Sequence, residues 1–220
     1  MPKVPPKAAL ANMVFRVLLC NWLIAALAFG ATAAPAGQPL RIVVLGDSLV
    51  AGLGIKPSEA FPAQLERALK ERGHAVEVIN AGVSGDTTAG GLDRVGWAVP
   101  ERTGAVILEL GANDALRGQD LGTVRANLVQ LVERFKAGGA QVLLVGMRLP
   151  PNYGTGYGRD FERVYADVAK RHGVALMPFF LDGVGGDVRL NQPDGIHPTA
   201  EGYRIIVDRL WPYLRPLLRR

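Results

Sequence analysis

Val43-Val44-Leu45-Gly46-Asp47-Ser48-Leu49 is an apolar run that stops at a glycine, an acid and a serine. A run of this kind, followed by a tight turn, is how a buried parallel strand delivers a side chain to the carboxyl edge of a sheet. Open α/β folds place their chemistry at that edge. Ser48 is then either a nucleophile or a turn residue. Far downstream, Asp194-Gly195-Ile196-His197 sets an acid and a histidine three residues apart, which completes the residue types needed for acyl transfer.

Outward from this stretch, strand and helix patterns alternate. Arg41–Leu45, Ala75–Ile79, Ala105–Leu110, Gln141–Met147 and Ala175–Pro178 read as strands. Ala60–Arg72 has helical spacing at Phe61, Leu65, Ala68 and Leu69 and is ended by Gly73. Asp86–Val95 reads as a short helix, because Asp86, Thr87 and Thr88 suit a helix start. Leu121–Lys136 carries Val124, Leu128, Leu131, Val132 and Phe135 on one side. Phe161–Arg171 and Thr199–Leu214 are the remaining helices. The alternation predicts an α/β domain over 37–220, with right-handed crossovers and a parallel sheet covered by helices on both faces.

The chain has 220 residues, 49% of them hydrophobic and 20% charged, which suits one well-buried globular core. Its net charge of +5 is partly local. Without Lys3, Lys7 and Arg16 there remain 22 basic against 20 acidic residues, so nothing marks a nucleic-acid partner. Those three cations accompany an apolar run from Val17 to Phe29 and the small residues Ala31-Thr32-Ala33-Ala34-Pro35-Ala36. Residues 1–36 therefore read as a cleaved secretory signal, and the location as periplasmic or secreted. A retained membrane anchor is the rival, but the run is short for a span of ~20 residues. Met13 is an alternative start. Cys20, the only cysteine, lies in this segment. Leu19 before it is too bulky for a typical lipoprotein site, so no lipid anchor is read. The mature chain needs no disulfide, thiol chemistry or cysteine metal site.

Four polar clusters follow separate elements: Gly46-Asp47-Ser48, Asn80 through Asp86, Gly111-Ala112-Asn113-Asp114, and Asp194 through His197. In a parallel sheet, loops after strands share one edge, so these clusters can converge. Ser48 needs a base, since a free hydroxyl is a weak nucleophile. His197 can take its proton and return it to the leaving group. Asp194 can hold the imidazole and stabilise the imidazolium. The backbone amides of Ser48 and Gly85 and the side-chain amide of Asn113 can receive the oxyanion. Gly82 competes with Gly85 for this role, and the neighbouring helix start at Asp86-Thr87 favours Gly85. Each cluster alone also reads as an ordinary turn or cap; their conjunction carries the argument.

Gly46-Asp47-Ser48-Leu49, Gly85, Gly111-x-Asn113-Asp114 and Asp194-x-x-His197 resemble, in order, the four blocks of the SGNH (GDSL) hydrolases. With Arg148-Leu149-Pro150-Pro151-Asn152-Tyr153-Gly154 and Pro178-Phe179-Phe180, the chain is similar to that family's multifunctional periplasmic esterases, thioesterases and lysophospholipases. The resemblance implies a flavodoxin-like three-layer sandwich, with Ser48 as nucleophile, Asp194 and His197 completing the triad, and Ser48, Gly85 and Asn113 as oxyanion hole. It implies no metal or cofactor. The expected substrates are small acyl esters and thioesters, taken by a monomer in transient contact with membrane lipid. A carbohydrate O-acetylesterase on the same scaffold is the alternative within enzymes. A non-catalytic flavodoxin-like binding module is disfavoured, because no Gly-x-Gly-x-x-Gly follows the first strand.

Leu116, Arg148, Pro150 and Tyr153 are the candidate substrate contacts, with Arg117 and Tyr157 beside them. Arg148 has two readings, a head-group contact or a loop salt bridge. Asp47 and Asp114 read as loop braces. Glu109 is an unusual carboxylate in an apolar strand, either paired near the site or facing a helix end. His74 and His172 read as solvated helix-terminal residues. Gly183-Val184-Gly185-Gly186-Asp187 reads as a flexible surface loop or a lid.

Overall fold

The computed structural model describes residues 38–218. The leader expected at 1–36, with Cys20, lies outside them. Five parallel strands, β1 (Leu40–Gly46), β2 (Val76–Gly82), β3 (Ala105–Glu109), β4 (Gln141–Val145) and β5 (Ala175–Met177), form one sheet in the order β2-β1-β3-β4-β5. Seven helices accompany them: α1 (Ser48–Ala51), α2 (Phe61–Glu71), α3 (Thr88–Ala98), α4 (Ala112–Leu116), α5 (Leu121–Ala137), α6 (Thr155–His172) and α7 (Ala200–Leu214).

The chain leaves β1 toward one side of the sheet and later passes to the other. Right-handed crossovers therefore put α2 on one face and the helices between β2 and β5 on the opposite face. The packing agrees: α2 lies against α7, whereas α5 lies against both α3 and α6. Ile42 through Leu45 and Ala105 through Leu108 are completely buried. This is why both strands read as continuous apolar runs rather than alternating ones.

The order reverses at β1, which pairs with β2 on one side and β3 on the other. The crevice beyond the carboxyl ends of β1 and β3 is thus the topological switch point of an open α/β sheet.

Several expected boundaries move. β2 continues to Gly82 because Asn80, Ala81 and Gly82 stay in register with Val44, Leu45 and Gly46. The helix expected at Asp86 starts at Thr88, capped by the Thr87 hydroxyl, which accepts from the Gly90 amide at 3.2 Å. α6 begins at Thr155, six residues before the expected Phe161. Its glycine-rich first turn has poor helix propensity, but Tyr157 anchors it by donating its hydroxyl to the Gln119 carbonyl at 2.9 Å. α1 and α4 were not expected, being too short to show a period. The two outlying histidines are less solvated than expected. The His74 ring lies 5.8 Å from that of Trp211, and the His172 side chain is only 12% exposed.

Gly82 supplies a stringent test of this packing. A Cβ there would sit 2.2 Å from the Ala51 backbone nitrogen and 2.7 Å from the Val50 carbonyl carbon. Neither backbone atom can rotate away. Gly82→Ala is expected to destabilise the protein by about 1–3 kcal/mol, lowering Tm by roughly 2–4 °C per kcal/mol at this size. Thermal unfolding followed by circular dichroism measures this directly. An unchanged Tm would mean that α1 does not press on β2.

Candidate active site

β1 ends at Gly46, where the chain has no room for a side chain: a Cβ would lie 2.3 Å from Val50 Cγ2 and 2.7 Å from the Glu109 carbonyl oxygen. The backbone turns at once into α1, with Ser48 as its first residue. The Asp47 carboxylate caps this helix, accepting from the Leu49 amide at 2.9 Å.

His197 arrives from the opposite end of the sequence, just before α7, whose cap is Thr199. Its Nε2 lies 2.9 Å from Ser48 Oγ, and its Nδ1 lies 2.7 Å from Asp194 Oδ2. A carboxylate can only accept, so Nδ1 carries the proton and Nε2 accepts from the serine hydroxyl. The other Asp194 oxygen accepts the amides of Ile196 and His197, each at 3.0 Å. Those two amides, followed by the imidazole, hold the Asp194 pKa down at about 2. The acid therefore stays ionised throughout the neutral range, and its orientation is set by the turn that it caps.

Asn113 is on α4, immediately after β3. Its side-chain amide donates one hydrogen to Asp47 Oδ2 at 2.9 Å. An amide nitrogen has two hydrogens, so one remains. Gly85 sits in the exposed turn between β2 and α3 with φ +81°. The rival Gly82 amide donates to Asn80 Oδ1 at 2.9 Å.

An apolar groove of about 460 Å³ opens beside Ser48 and His197. Asn113, Leu116, Arg148 and Pro150 line it, together with Leu149, Phe179 and Ile196. Asp194 and Gly85 are not among its walls; Asp194 reaches it through His197. Tyr153 is also absent from the lining, against expectation. It ends a 3-10 turn opened by Pro151, and the wall facing the groove is Pro150-Pro151. Arg148 makes the salt bridge of one reading and also lines the groove. It pairs with Glu162 at 3.2 Å, and its guanidinium carbon lies 4.9 Å from the Phe179 ring centroid at the groove wall. In the Gly183–Asp187 loop Val184 is buried, and the Asn191 side chain donates to the Val184 and Asp187 carbonyls. Gly185 and Gly186 border the groove. Among the described residues, no group of three or more His, Cys, Asp or Glu side chains is placed to hold a metal ion.

Two supports were not foreseen. Arg94, nearly buried in α3, donates to the Gly46 carbonyl at 2.9 Å, the Ala81 carbonyl at 2.7 Å and Asp86 Oδ2 at 2.7 Å. It ties the end of β1 to the end of β2 and to the residue after Gly85. Its one sequence signal is a cation among Gly91, Leu92 and Val95. Asp114, read as a brace of its own loop, instead accepts from the Thr88 amide at 2.9 Å and its hydroxyl at 2.6 Å. It joins α4 to the start of α3.

Glu109 resolves toward the site. It is completely buried, accepts the Asp47 amide through Oε2 at 3.3 Å, and leaves Oε1 without a partner. Burial raises its pKa well above the ordinary carboxyl range, and the neighbouring Asp47 raises it further. Burial likewise raises Asp47 to about 6, against the opposing Leu49 amide. A neutral Glu109 has a signed consequence. Its folded pKa exceeds the unfolded one, so its contribution to stability is complete below about 4.5 and is lost as pH rises toward the folded value. Glu109→Gln removes that loss. The variant should gain stability over the native chain by about 1.4 kcal/mol for each pH unit above the ordinary glutamate value, until Glu109 itself ionises. Denaturant unfolding at pH 5 and pH 8 tests this, and a pH-independent difference would refute a neutral Glu109.

Comparison with known proteins identifies the family. Residues 44–205 match the model of the GDSL-like Lipase/Acylhydrolase family. The chain is 44% identical over 178 residues to Esterase TesA of Pseudomonas aeruginosa, covering 80% of this chain and 89% of that protein. It is 36% identical over 208 residues to Thioesterase 1/protease 1/lysophospholipase L1 of Escherichia coli, covering 94% and 96%. A crystal structure of TesA superposes with a TM-score of 0.77 at 43% identity, covering 80% of this chain and 99% of that one. The matched span runs from β1 into α7 and so encloses every residue of the Ser48–His197–Asp194 chain: this protein belongs to the GDSL-like lipase/acylhydrolase family.

Proposed function

We propose that Ser48 is the nucleophile of a carboxylic ester and thioester hydrolase, with His197 as general base and acid and Asp194 as the residue that orients it. The observation that carries this reading is the unbroken hydrogen-bond chain from Ser48 Oγ through the His197 ring to Asp194, opening onto an apolar groove.

In the first half-reaction Ser48 Oγ bonds to the acyl carbon as its proton passes to His197 Nε2. The carbonyl electrons move to oxygen, where the Ser48 and Gly85 amides and the free Asn113 hydrogen receive them. The tetrahedral intermediate collapses, and the imidazolium protonates the departing alcohol or thiol. Water then attacks the acyl-enzyme by the same route, with His197 taking its proton, and the carboxylic acid leaves. Ser48 thus contributes twice, through its hydroxyl and through its own amide at the start of α1.

Aryl esters, short- to medium-chain acyl esters, acyl thioesters and lysophospholipids suit the groove. Leu116, Leu149, Pro150 and Ile196 offer an acyl chain apolar contact and give a sugar ring few polar partners, which favours this reading over a carbohydrate O-acetylesterase. Leu116 is 41% exposed and Ile196 53%, which supports transient contact with lipid at the groove mouth. The reading takes the enzyme as a monomer. No described helix is long and apolar enough to cross a membrane. The leader expected over 1–36 supports action in the periplasm or outside the cell.

Ser48→Ala should abolish p-nitrophenyl butyrate hydrolysis with an unchanged Tm; full activity in that variant would overturn the triad. A series of p-nitrophenyl esters and acyl thioesters of increasing chain length should show kcat/KM rising while added methylenes still contact the groove, by up to roughly fourfold each at about 0.8 kcal/mol per buried methylene. A preference for acetylated sugars over every such ester would favour the alternative.

A further inference from the structure

The proposed oxyanion donors Gly85 and Asn113 belong to different segments, and one residue touches both. Arg117 closes the carboxyl end of α4, where its amide donates to the Asn113 carbonyl at 3.2 Å. Its side chain then reaches across, and Nη2 donates to the Gly85 carbonyl at 3.0 Å. We propose that Arg117 is a positioning residue that holds the Gly85 peptide and the Asn113 segment at a fixed separation. This rests on the reading of Gly85 and Asn113 as oxyanion donors.

Both segments need such a tie. Gly85 is exposed, and a Cβ built on it would meet nothing within 4 Å except Arg117 Nη2 at 3.8 Å. No other side chain lies within that distance, and a glycine at positive φ has a wide range of backbone conformations open to it. The one backbone bond across its turn runs from the Asp86 amide to the Val83 carbonyl at 3.1 Å. On the other side, α4 has only five residues, flanked by Gly111 at φ +118° and Gly118 at φ +65°. A helix this short has little stability of its own. Asp86 with Arg94, and Asp114 with Thr88, anchor the residue after each donor to the core. Among the described residues, Arg117 is the side chain that bonds to the Gly85 peptide itself, while its own amide bonds to the Asn113 carbonyl. Donors lower a barrier only to the extent that they are already in place when charge develops. Loss of the link should therefore act on the transition state and leave ground-state binding almost unchanged.

Three variants of the full chain test this: Arg117→Met, which keeps length and removes the donor; Arg117→Lys, which restores one; and Asn113→Ala. The readouts are kcat and KM for p-nitrophenyl butyrate, the inhibition constant of butylboronic acid as a tetrahedral mimic, and Tm. Arg117→Met should lower kcat about tenfold, a fraction of the 10²–10³ that loss of a whole donor costs. KM and Tm should hold, boronate affinity should fall in parallel with kcat, and Arg117→Lys should recover part of both. Native kcat in Arg117→Met overturns the proposal. So does a raised KM with kcat intact, which would make Arg117 a substrate contact, and so does a kcat loss matched by a fall in Tm. Asn113→Ala separates the two readings. If it is fully active, the oxyanion assignment itself fails; if it is impaired while Arg117→Met is not, only the positioning role fails.

Discussion

The Asp47 carboxylate is the joint on which the site depends. One oxygen accepts the Leu49 amide and starts α1, and the other accepts the Asn113 side chain from α4. A single buried acid thereby sets the helix of the proposed nucleophile Ser48 and the proposed side-chain oxyanion donor against each other. It can do so only because β1 and β3 are paired in register, so that Gly46 stands opposite Glu109 and the two strand ends open at the same height. Arg94 performs the corresponding task on the other side, binding the carbonyls that end β1 and β2.

This arrangement concentrates acids where the solvent is least accessible. Asp47, Glu109 and Asp114 are all essentially buried. Asp114 is satisfied by Thr88 and Asp47 by its two donors, whereas Glu109 has one oxygen with no partner. Desolvation then favours the neutral form of Glu109. A neutral Glu109 spares the neighbouring Asp47 a second negative charge at short range. Burial thus disfavours charge on Glu109 beside Asp47, at a cost in stability that an apolar strand would not carry.

Some of the site was readable in the linear chain because its residues act through local geometry. Asp194 and His197 are three residues apart, and the turn that brings the acid to its own histidine is built by the Ile196 and His197 amides. Thr87 capping α3 is similarly local. Tyr153 lies outside the groove lining, although an aromatic residue near a groove looks like a wall. The two prolines before it had already turned the chain, and they supply the wall themselves. Arg94 was missed, and Arg117 was read only as a neighbour of the substrate contacts, because they bind main-chain carbonyls, which have no identity in a sequence.

By itself the sequence determined the α/β alternation, the buried central strand and the four polar clusters with their residue types, since hydrophobic periodicity and turn chemistry are short-range properties. The tertiary structure alone decided that Ser48 and His197, 149 residues apart, meet at 2.9 Å. It alone occupied the Gly82 amide with Asn80 Oδ1, and buried Glu109 against the Asp47 amide rather than at a helix end. Each of these depends on strand order, register and burial, which follow from the packing of the whole chain and not from any one segment of it.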